Sequence, residues 1–183
     1  FLNDSELSTV GKLFILTLEI NSRGQELHCK ILLIGDSGLG KIEILNRLIG
    51  NDFQSEVTPT YGIGYKFKTI IVDGQMVKLK LWYYTSGEEK FNSLTTACYR
   101  ETKDFLLVYD ITDCRSFDNI SIWFETIEKY GDKEAIKIIV DNKSDVYDKQ
   151  VILKKQGKEM VPKYCIPFFE TSALTDTNFD TTL

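Results

Sequence analysis

One glycine-rich segment limits what this chain can fold into more than any other feature. The segment runs Gly35-Asp36-Ser37-Gly38-Leu39-Gly40-Lys41-Ile42. It follows an apolar run at residues 31–34 and precedes a helical pattern with Leu45, Leu48 and Ile49 on one face. Strand, glycine-rich turn and helix are the context of a phosphate-binding loop, in which backbone N–H groups and the positive end of the helix dipole surround an anion. The alternative is a glycine-rich turn that binds no ligand.

The last two residues of this segment give opposite indications about its ligand. Lys41 places a positive charge where the motif needs one for the terminal phosphates. The motif should then end in Ser or Thr, whose hydroxyl binds Mg²⁺, but here it ends in Ile42. The segment therefore predicts a phosphate loop that lacks one of its metal ligands.

Length and composition narrow the class of protein. A chain of 183 residues, 43% hydrophobic and 27% charged, is long enough for one domain with a full core. A net charge of −5 disfavours nucleic-acid binding, and no run approaches the ~18 apolar residues of a membrane span. The four cysteines are far apart, which argues against a zinc site and fits reduced thiols in the cytoplasm.

Apolar runs alternate with helical patterns along the chain. Strands are predicted at residues 28–34, 105–110, 136–140 and 165–169, and helices at residues 41–50, 116–130 and 150–163. Ser116 is placed to cap the helix at 116–130. The apolar stripe of that helix consists of Phe117, Ile120, Phe124 and Ile127.

A hairpin interrupts this alternation. Residues 65–72 and 76–82 have strand patterns and flank Asp73-Gly74, a tight-turn signal. The remaining strands need crossover connections. The sequence therefore predicts an α/β fold, a mostly parallel doubly wound sheet with one antiparallel edge strand.

Residues 1–26 precede this pattern as an N-terminal extension. Residues 13–20 are almost continuously apolar, and periodicity does not decide between a buried strand and one side of a helix. The strand near Cys29 is expected in the middle of the sheet, so the extension cannot pair beside it. The apolar segment can pack on a helix, add to an outer edge or bury in a partner, and we favour the partner.

A second motif, Asn142-Lys143-Ser144-Asp145, follows the strand predicted at residues 136–140. A carboxylate here can accept hydrogen bonds from both N1 and the 2-amino group of guanine, which adenine does not offer together. Asn142 would hold the loop and the base edge, and the stem of Lys143 would pack on the ring. The alternative is a solvated turn, but its position after a phosphate loop favours a guanine site.

A third motif, Glu170-Thr171-Ser172-Ala173, comes directly after the last predicted strand. Backbone N–H groups of such a loop can meet the carbonyl oxygen of guanine. By itself the segment is an ordinary Ser/Thr loop. In order behind the other two motifs, it completes a predicted guanine site.

With these motifs in place, residues 27–178 resemble the Ras-superfamily small GTPases, and the Rab family most closely. The resemblance lies in residues 30–38, in Leu79-Lys80-Leu81-Trp82, and in residues 90–100, 106–113 and 116–120. It implies a small-GTPase domain at residues 27–183 that binds GTP or GDP. It also implies a switch or adaptor in vesicle traffic, cytoplasmic and peripheral to membranes, that binds effectors when loaded with GTP.

The same resemblance implies roles for individual residues. Thr60 corresponds to the first-switch threonine that senses the γ-phosphate and ligates Mg²⁺, and Gly87 corresponds to the second-switch glycine. The nucleotide-binding positions are Gly35, Asp36, Ser37, Gly38, Leu39, Gly40, Lys41, Ile42, Asn142, Lys143, Asp145, Ser172, Ala173 and Leu174.

Departures from the family concentrate on Mg²⁺ binding and hydrolysis. Ile42 replaces a metal ligand, and Tyr83 or Tyr84 replaces the Asp that holds the water shell of the metal, in a segment one residue longer than the family's. Glu88 stands where the family has the Gln that orients the attacking water. We therefore expect Mg²⁺ binding and GTP hydrolysis to be weak or absent. The alternative is a pseudo-GTPase, a structural or interaction subunit of a larger assembly.

Other departures affect the base, the effector surface and the C-terminus. Leu174 replaces a lysine beside the guanine. Tyr65 and Trp82 suit the aromatic trio that Rab proteins present to effectors, but Cys98 stands at the third position. The chain ends at Leu183, inside the expected last helix and without the family's prenylated cysteines.

Overall fold

The computed structural model of the chain describes residues 27–53, 62–72, 75–85 and 98–179. In these residues, strands β1 to β6 are Leu27–Ile34, Gly62–Val72, Gln75–Thr85, Asp104–Asp110, Ile136–Asn142 and Phe168–Glu170. Helices α1 to α4 are Lys41–Ile49, Cys114–Asp118, Ile120–Tyr130 and Lys154–Tyr164, and a 3₁₀ turn covers Tyr147–Lys149. The extension at residues 1–26 and the predicted turn at Asp73-Gly74 lie outside the described residues.

The described strands form one sheet in the order β2-β3-β1-β4-β5-β6. Strand β2 pairs antiparallel with β3, and every other pairing is parallel. Strand β1 is central, flanked by β3 and β4, as the sequence predicted. The predicted α/β class, with one antiparallel strand at the edge, is therefore confirmed.

Both faces of the central strands β1 and β4 are buried, which explains their continuous apolar runs. Alternate residues of β1 point to opposite faces, so Ile31 and Leu33 belong to one core cluster and Leu32 and Ile34 to the other. Helix α1 covers the first face, and helix α3 covers the second. The sheet is thus a rigid layer from whose carboxyl edge the three motif loops extend.

The helix predicted at residues 116–130 consists of two helices, α2 and α3, and Ser116 does not cap it. Helix α2 begins earlier because Asp113 is the N-cap, and its Oδ1 accepts from Arg115 N at 2.9 Å. Ser116 is buried instead, and its Oγ donates to Asp113 O at 2.8 Å. The two helices meet at Asn119.

The predictions for the last helix and strand are wrong at their boundaries. Helix α4 begins at Lys154 rather than near residue 150, because the 3₁₀ turn at Tyr147–Lys149 precedes it. Cys165 ends the helix in the left-handed conformation, with φ 55°. Strand β6 therefore begins only at Phe168, after Pro167, which has no N–H to donate.

No helix in the described part of the chain is long and apolar enough to cross a membrane.

Candidate nucleotide-binding site

The three sequence motifs meet at one edge of the sheet. The first follows β1, the second begins with the last residue of β5, and the third begins with the last residue of β6. These strands are parallel, so their carboxyl ends lie side by side, where ligands bind in open α/β sheets. The structure therefore brings the phosphate loop and both base loops together.

Two glycines allow the phosphate loop to approach its neighbours. Gly35 has φ 142°, and a Cβ on it would overlap Val108 O of β4. Gly40 has φ 81°, and a Cβ on it would lie 2.5 Å from Asn142 Nδ2. Only glycine fits both the backbone conformation and the space at these positions.

Lys41 is buried inside the loop it was predicted to serve, with 3% of its surface exposed. Its Nζ donates to Gly35 O at 2.9 Å and also to Asp36 O. An ammonium group has three donors, so one remains for an anion. Burial lowers the pKa of Lys41 to about 8, with the charges of Asp36 and Glu43 acting in the opposite direction.

Helix α3 holds the phosphate loop through Asp36. Asn119 Nδ2 donates to Asp36 Oδ2 at 2.7 Å, and Trp123 Nε1 donates to Asp36 Oδ1 at 3.0 Å. Asn119 and Trp123 are four residues apart and share one helix face. Sequence reasoning missed both contacts, because they join residues 83 and 87 positions apart in the chain.

The Asn142 side chain joins all three loops. Its Nδ2 donates to Leu39 O of the phosphate loop at 2.9 Å, and its Oδ1 accepts from Ala173 N at 3.2 Å. Asn142 is buried, so these bonds form away from water. The Ala173 N–H, one of those predicted to meet guanine, donates to Asn142 in this arrangement.

Lys143 also bridges to the phosphate loop. Its backbone is left-handed, with φ 64°, and its Nζ donates to Gly38 O at 3.1 Å. The same Nζ lies 2.5 Å from Asp110 Oδ2 at the end of β4. Thr112 N and Oγ1 donate to the other oxygen of Asp110, at 2.8 and 2.7 Å. Asp110, missed in the sequence, therefore orients Lys143.

Asp145 is held by the third motif. Ser172 Oγ donates to Asp145 Oδ1 and accepts from Thr175 N at 3.1 Å. The other carboxylate oxygen of Asp145 has no described hydrogen-bond donor and remains available to a base. Arg47 of α1, a residue that sequence reasoning missed, donates to Ala173 O at 2.8 Å and to Leu174 O at 3.1 Å.

Asp141 is an unexpected carboxylate between the two base loops. It is 1% exposed, and its Oδ1 accepts from Thr171 N at 2.9 Å. Burial raises the pKa of Asp141 to about 7, with the Thr171 hydrogen bond and the charge of Lys154 acting against it. The Asp141 side chain therefore joins the end of β5 to the third motif.

The positions predicted to hold Mg²⁺ carry side chains of another kind than the polar residues of the base loops. Ile42 is partly buried at the start of α1 and has no side-chain oxygen. Tyr83 is paired with Leu33 and with Gly64, and its ring lies where a Cβ on Gly64 would be. The side chain of Tyr84, and all of Thr60, Gly87 and Glu88, lie outside the described residues.

At the described positions of the predicted metal side, Ile42 has no side-chain oxygen and Tyr83 has only a phenol to offer a Mg²⁺ ion. Mg²⁺ prefers octahedral coordination by oxygen, usually with one or two carboxylates. Within the described ranges, no group of three or more His, Cys, Asp or Glu side chains is arranged to hold a metal. We therefore assign no chemical step to a metal.

Glu43, in the first turn of α1, is an acidic residue beside the phosphate loop that sequence reasoning missed. It is buried, and its Oε2 lies 3.6 Å from the position of a Cβ on Gly40. A carboxylate in the first helical turn interacts favourably with the positive end of the helix dipole. It therefore reduces the positive potential that the loop offers to an anion.

The predicted effector residues differ in exposure. Tyr65 is 51% exposed, and its ring centroid lies 4.9 Å from that of Trp82. Cys98, the third member, is buried, and burial raises the pKa of its thiol. Tyr65 is therefore exposed, Trp82 is half-buried against the second core cluster, and Cys98 is buried.

The sheet order, the phosphate loop after β1 and the antiparallel β2 together define the P-loop GTPase class of fold. Comparison with known proteins agrees, since the Ras family matches residues 30–183. The Ras-related protein Rab-8A of Bos taurus is 44% identical over 151 residues, 82% of this chain and 72% of its own length. The Ras-related protein SEC4 of Saccharomyces cerevisiae is 42% identical, over 86% of this chain and 73% of its own length.

A third relative, the Ras-related protein Rab-10 of Diplobatis ommata, is 40% identical over 85% of this chain and 77% of its own length. The chain therefore belongs to the Ras family and, within it, to the Rab small GTPases. Rab proteins as a family bind guanine nucleotides, act in vesicle traffic and bind effectors through their switch regions.

Proposed function

We propose that this chain is a Rab-type guanine-nucleotide-binding protein, a switch or adaptor in vesicle traffic, with weak or absent GTP hydrolysis. One observation carries the proposal: the Asn142 side chain hydrogen-bonds to both the phosphate loop and the third motif. A buried amide bonded on both sides holds the loops in one arrangement. That arrangement supports nucleotide binding.

The base side supplies the expected recognition groups. The free oxygen of Asp145 accepts from N1 or the 2-amino group of guanine, while Ser172 holds the other oxygen. The stem of Lys143 lies against the base while its ammonium group stays on Asp110. The remaining donor of Lys41 binds the terminal phosphates.

The metal side supports weak or absent hydrolysis. In P-loop GTPases the rate comes from positioning and from charge neutralisation by Mg²⁺ bridging the β- and γ-phosphates. Ile42 and Tyr83 offer no carboxylate or aliphatic hydroxyl to such an ion, which leaves Thr60 as one weak ligand. GDP depends less on a metal than GTP does, so we expect a bias toward GDP.

A second candidate function is a pseudo-GTPase, a structural or interaction subunit of a larger assembly. Two contacts in the phosphate loop support this candidate. Lys41 already donates to two loop carbonyls, and Glu43 brings a negative charge beside Gly40. Both features hold the loop together without an anion. The two candidates differ in whether nucleotide is bound.

Residues 1–26 are, in this proposal, an extension of the domain at residues 27–183 that docks on a partner. The central place of β1 supports this, since both its edges are paired. Deletion of residues 1–26 should abolish a complex and leave thermal unfolding of the domain unchanged. Loss of the folded domain on deletion would show that the segment belongs to the core.

Analysis of the nucleotide that copurifies with the full chain tests the proposed function. The protein is denatured, and the released nucleotide is identified by ion-exchange chromatography. We expect GDP, together with displacement of a fluorescent GDP analogue by GDP and GTP but not by ATP. Displacement by ATP would refute the base assignment, and a protein that neither carries nor binds nucleotide would establish the pseudo-GTPase.

A further inference from the structure

We propose that the outer face of the β2–β3 hairpin binds an acidic segment of a protein partner. This lysine–aromatic face consists of Tyr65, Phe67, Trp82, Lys30, Lys78 and Lys80. The Rab resemblance accounts for Tyr65 and Trp82 as an effector surface, but not for Phe67, the lysines or the charge of a partner. None of these residues lies in the nucleotide loops, but the inference rests on the proposed Rab-type function, because it names the chemistry of a partner at that function's effector surface.

The face is open because helix α1 packs on the other side of the hairpin. Lys66 donates to Asn46 Oδ1 of α1, and Lys68 Nζ donates to Leu48 O at 2.8 Å. Neighbouring residues in a strand point to opposite faces, so Tyr65 and Phe67 point away from α1. Their side chains are 51% and 49% exposed, on the strand at the edge of the sheet.

The three rings form a continuous platform. The ring centroid of Tyr65 lies 5.4 Å from that of Phe67 and 4.9 Å from that of Trp82. Lys80 Nζ lies above this platform, 4.3 Å from the Tyr65 centroid and 4.5 Å from the Trp82 centroid. The strand pairing aligns Phe67, Lys80 and Lys30 in one row across the sheet.

Lys78 and Lys80 add positive charge to this face, whereas the charge of Lys30 interacts with the carboxylate of Glu101. Lys78 Nζ lies 4.8 Å from the Phe67 centroid, and Lys30 Nζ lies 5.1 Å from the Trp82 centroid. In the described part of the chain, no ion pair joins Lys30, Lys78 or Lys80 to an acidic residue. The net charge of the whole chain is −5, so this face is positively charged on a protein that is negatively charged overall.

The arrangement of the lysines defines the partner's chemistry. Lys30 donates to Cys98 O at 2.6 Å and to Arg100 O at 2.9 Å, which leaves Lys78 and Lys80 as the more available charges. These two are two residues apart on one strand, about 7 Å in distance. An extended segment with carboxylates at alternate positions matches that spacing, and an apolar side chain beside them covers the rings.

A lipid surface fits the same face less well. Polybasic segments that bind anionic membranes contain about four to eight cationic residues. Their long side chains extend toward the headgroups. Here Lys80 lies over the rings instead. We therefore assign the face to a protein segment.

Peptide display on the full chain tests the assignment. The wild-type chain should enrich peptides with acidic residues at alternate positions, and their affinity should fall as salt concentration rises. Synthetic copies of these peptides should bind Lys80→Glu about tenfold more weakly in fluorescence anisotropy. Lys129→Glu is the matched control, because Lys129 Nζ lies 5.0 Å from the Tyr130 ring on another surface. It should bind like the wild type.

The exposed Lys78 provides a second variant if Lys80→Glu does not fold. The GDP affinity of Lys78→Glu and Lys80→Glu, measured on the same preparations, should equal that of the wild type, so failure of the nucleotide proposal and failure of this one are distinguishable. Enrichment of neutral or basic peptides, or equal binding by wild type and Lys78→Glu, would overturn the proposal. So would flotation with phosphatidylserine vesicles that requires Lys78 and Lys80, because that result would assign the face to lipid.

Discussion

The base end and the metal end of the candidate nucleotide site are built from opposite kinds of side chain. At the base end, Asn142, Asp145 and Ser172 hydrogen-bond to each other's loops. At the metal end, Ile42 and Tyr83 present hydrocarbon and an aromatic ring. In this fold the base is bound by one set of residues and hydrolysis depends on another set around Mg²⁺. Nucleotide binding can therefore persist when hydrolysis is lost.

The packing at the metal end explains how such a loss is tolerated. Tyr83 packs against the core cluster that includes Leu33, and its ring occupies the space beside Gly64. Covering a strand glycine with an aromatic ring buries apolar area that a carboxylate would leave exposed. Tyr83, one of the two tyrosines predicted to replace the metal's carboxylate, therefore contributes to folding stability.

The largest expected effect is at the base end. Asp145→Ala leaves two guanine donors unpaired and should cost about 2–4 kcal/mol of GDP affinity, measured by titration calorimetry. It should also remove the preference for GDP over ADP. Asp148→Ala is the control, since Asp148 is an exposed acid on the neighbouring 3₁₀ turn. Equal GDP affinity in wild type and Asp145→Ala would show that the base end does not read guanine.

Protonation of Asp141, at the base end, should also make the free energy of unfolding depend on pH. The pKa of Asp141 is raised from 3.8 to about 7 by burial, so the folded state keeps a proton that the unfolded state has lost between these values. The free energy of unfolding should therefore fall as pH rises from about 4 to 7, by about 1 kcal/mol per pH unit. Urea titrations of wild type and Asp141→Asn at several pH values measure this. If the slope of the unfolding free energy against pH is the same in Asp141→Asn as in the wild type, another group causes the pH dependence.

The contrast between the two ends also separates what the sequence could and could not predict. The sheet and the base loops follow from contiguous signals: apolar runs, a glycine-rich turn and two short motifs. The contacts of Asp36 with Asn119 and of Arg47 with Ala173 join residues 83 and 126 positions apart, so no local pattern reports them. Glu43 was missed because a charged residue in a first helical turn is ordinary until the loop beside it is known.

Helix boundaries were mispredicted for a related reason. Both Asp113 and Ser116 are good N-cap residues, and only the chain path after β4 selects Asp113. At the metal end, the sequence predicted that ligands of Mg²⁺ are missing, which stays a prediction. It did not indicate that Tyr83 fills the space beside Gly64, because that contact depends on the strand register.

A smaller effect tests the packing of the metal end. Gly64→Ala should lower the free energy of unfolding by about 1–3 kcal/mol, because its Cβ would overlap the Tyr83 ring. In a Tyr83→Ala background the same substitution should be close to neutral, since the ring is gone. Urea denaturation of the four proteins in this cycle measures the coupling. Equal costs in both backgrounds would place the Tyr83 ring elsewhere.

The smallest effect concerns Lys41, which lies between the two ends. Phosphates bind its protonated form, and burial lowers the pKa of Lys41 to about 8 in the free protein. GDP affinity should therefore fall as pH rises above 8, by at most about tenfold per unit. Lys41→Arg stays charged and should remove this dependence. A flat wild-type profile from about pH 7 to 9.5 would contradict the assignment.

Single-turnover GTP hydrolysis, measured with and without Mg²⁺ on the full chain and on Ile42→Ser, tests the contrast between the two ends most directly. Ile42→Val serves as the control that alters the side chain without adding an oxygen. We predict that the wild type and Ile42→Val both bind GTP. Both should hydrolyse it at a negligible rate that Mg²⁺ does not change. We also predict that Mg²⁺ dependence appears only in Ile42→Ser. Fast, Mg²⁺-dependent turnover by the wild type would contradict these predictions.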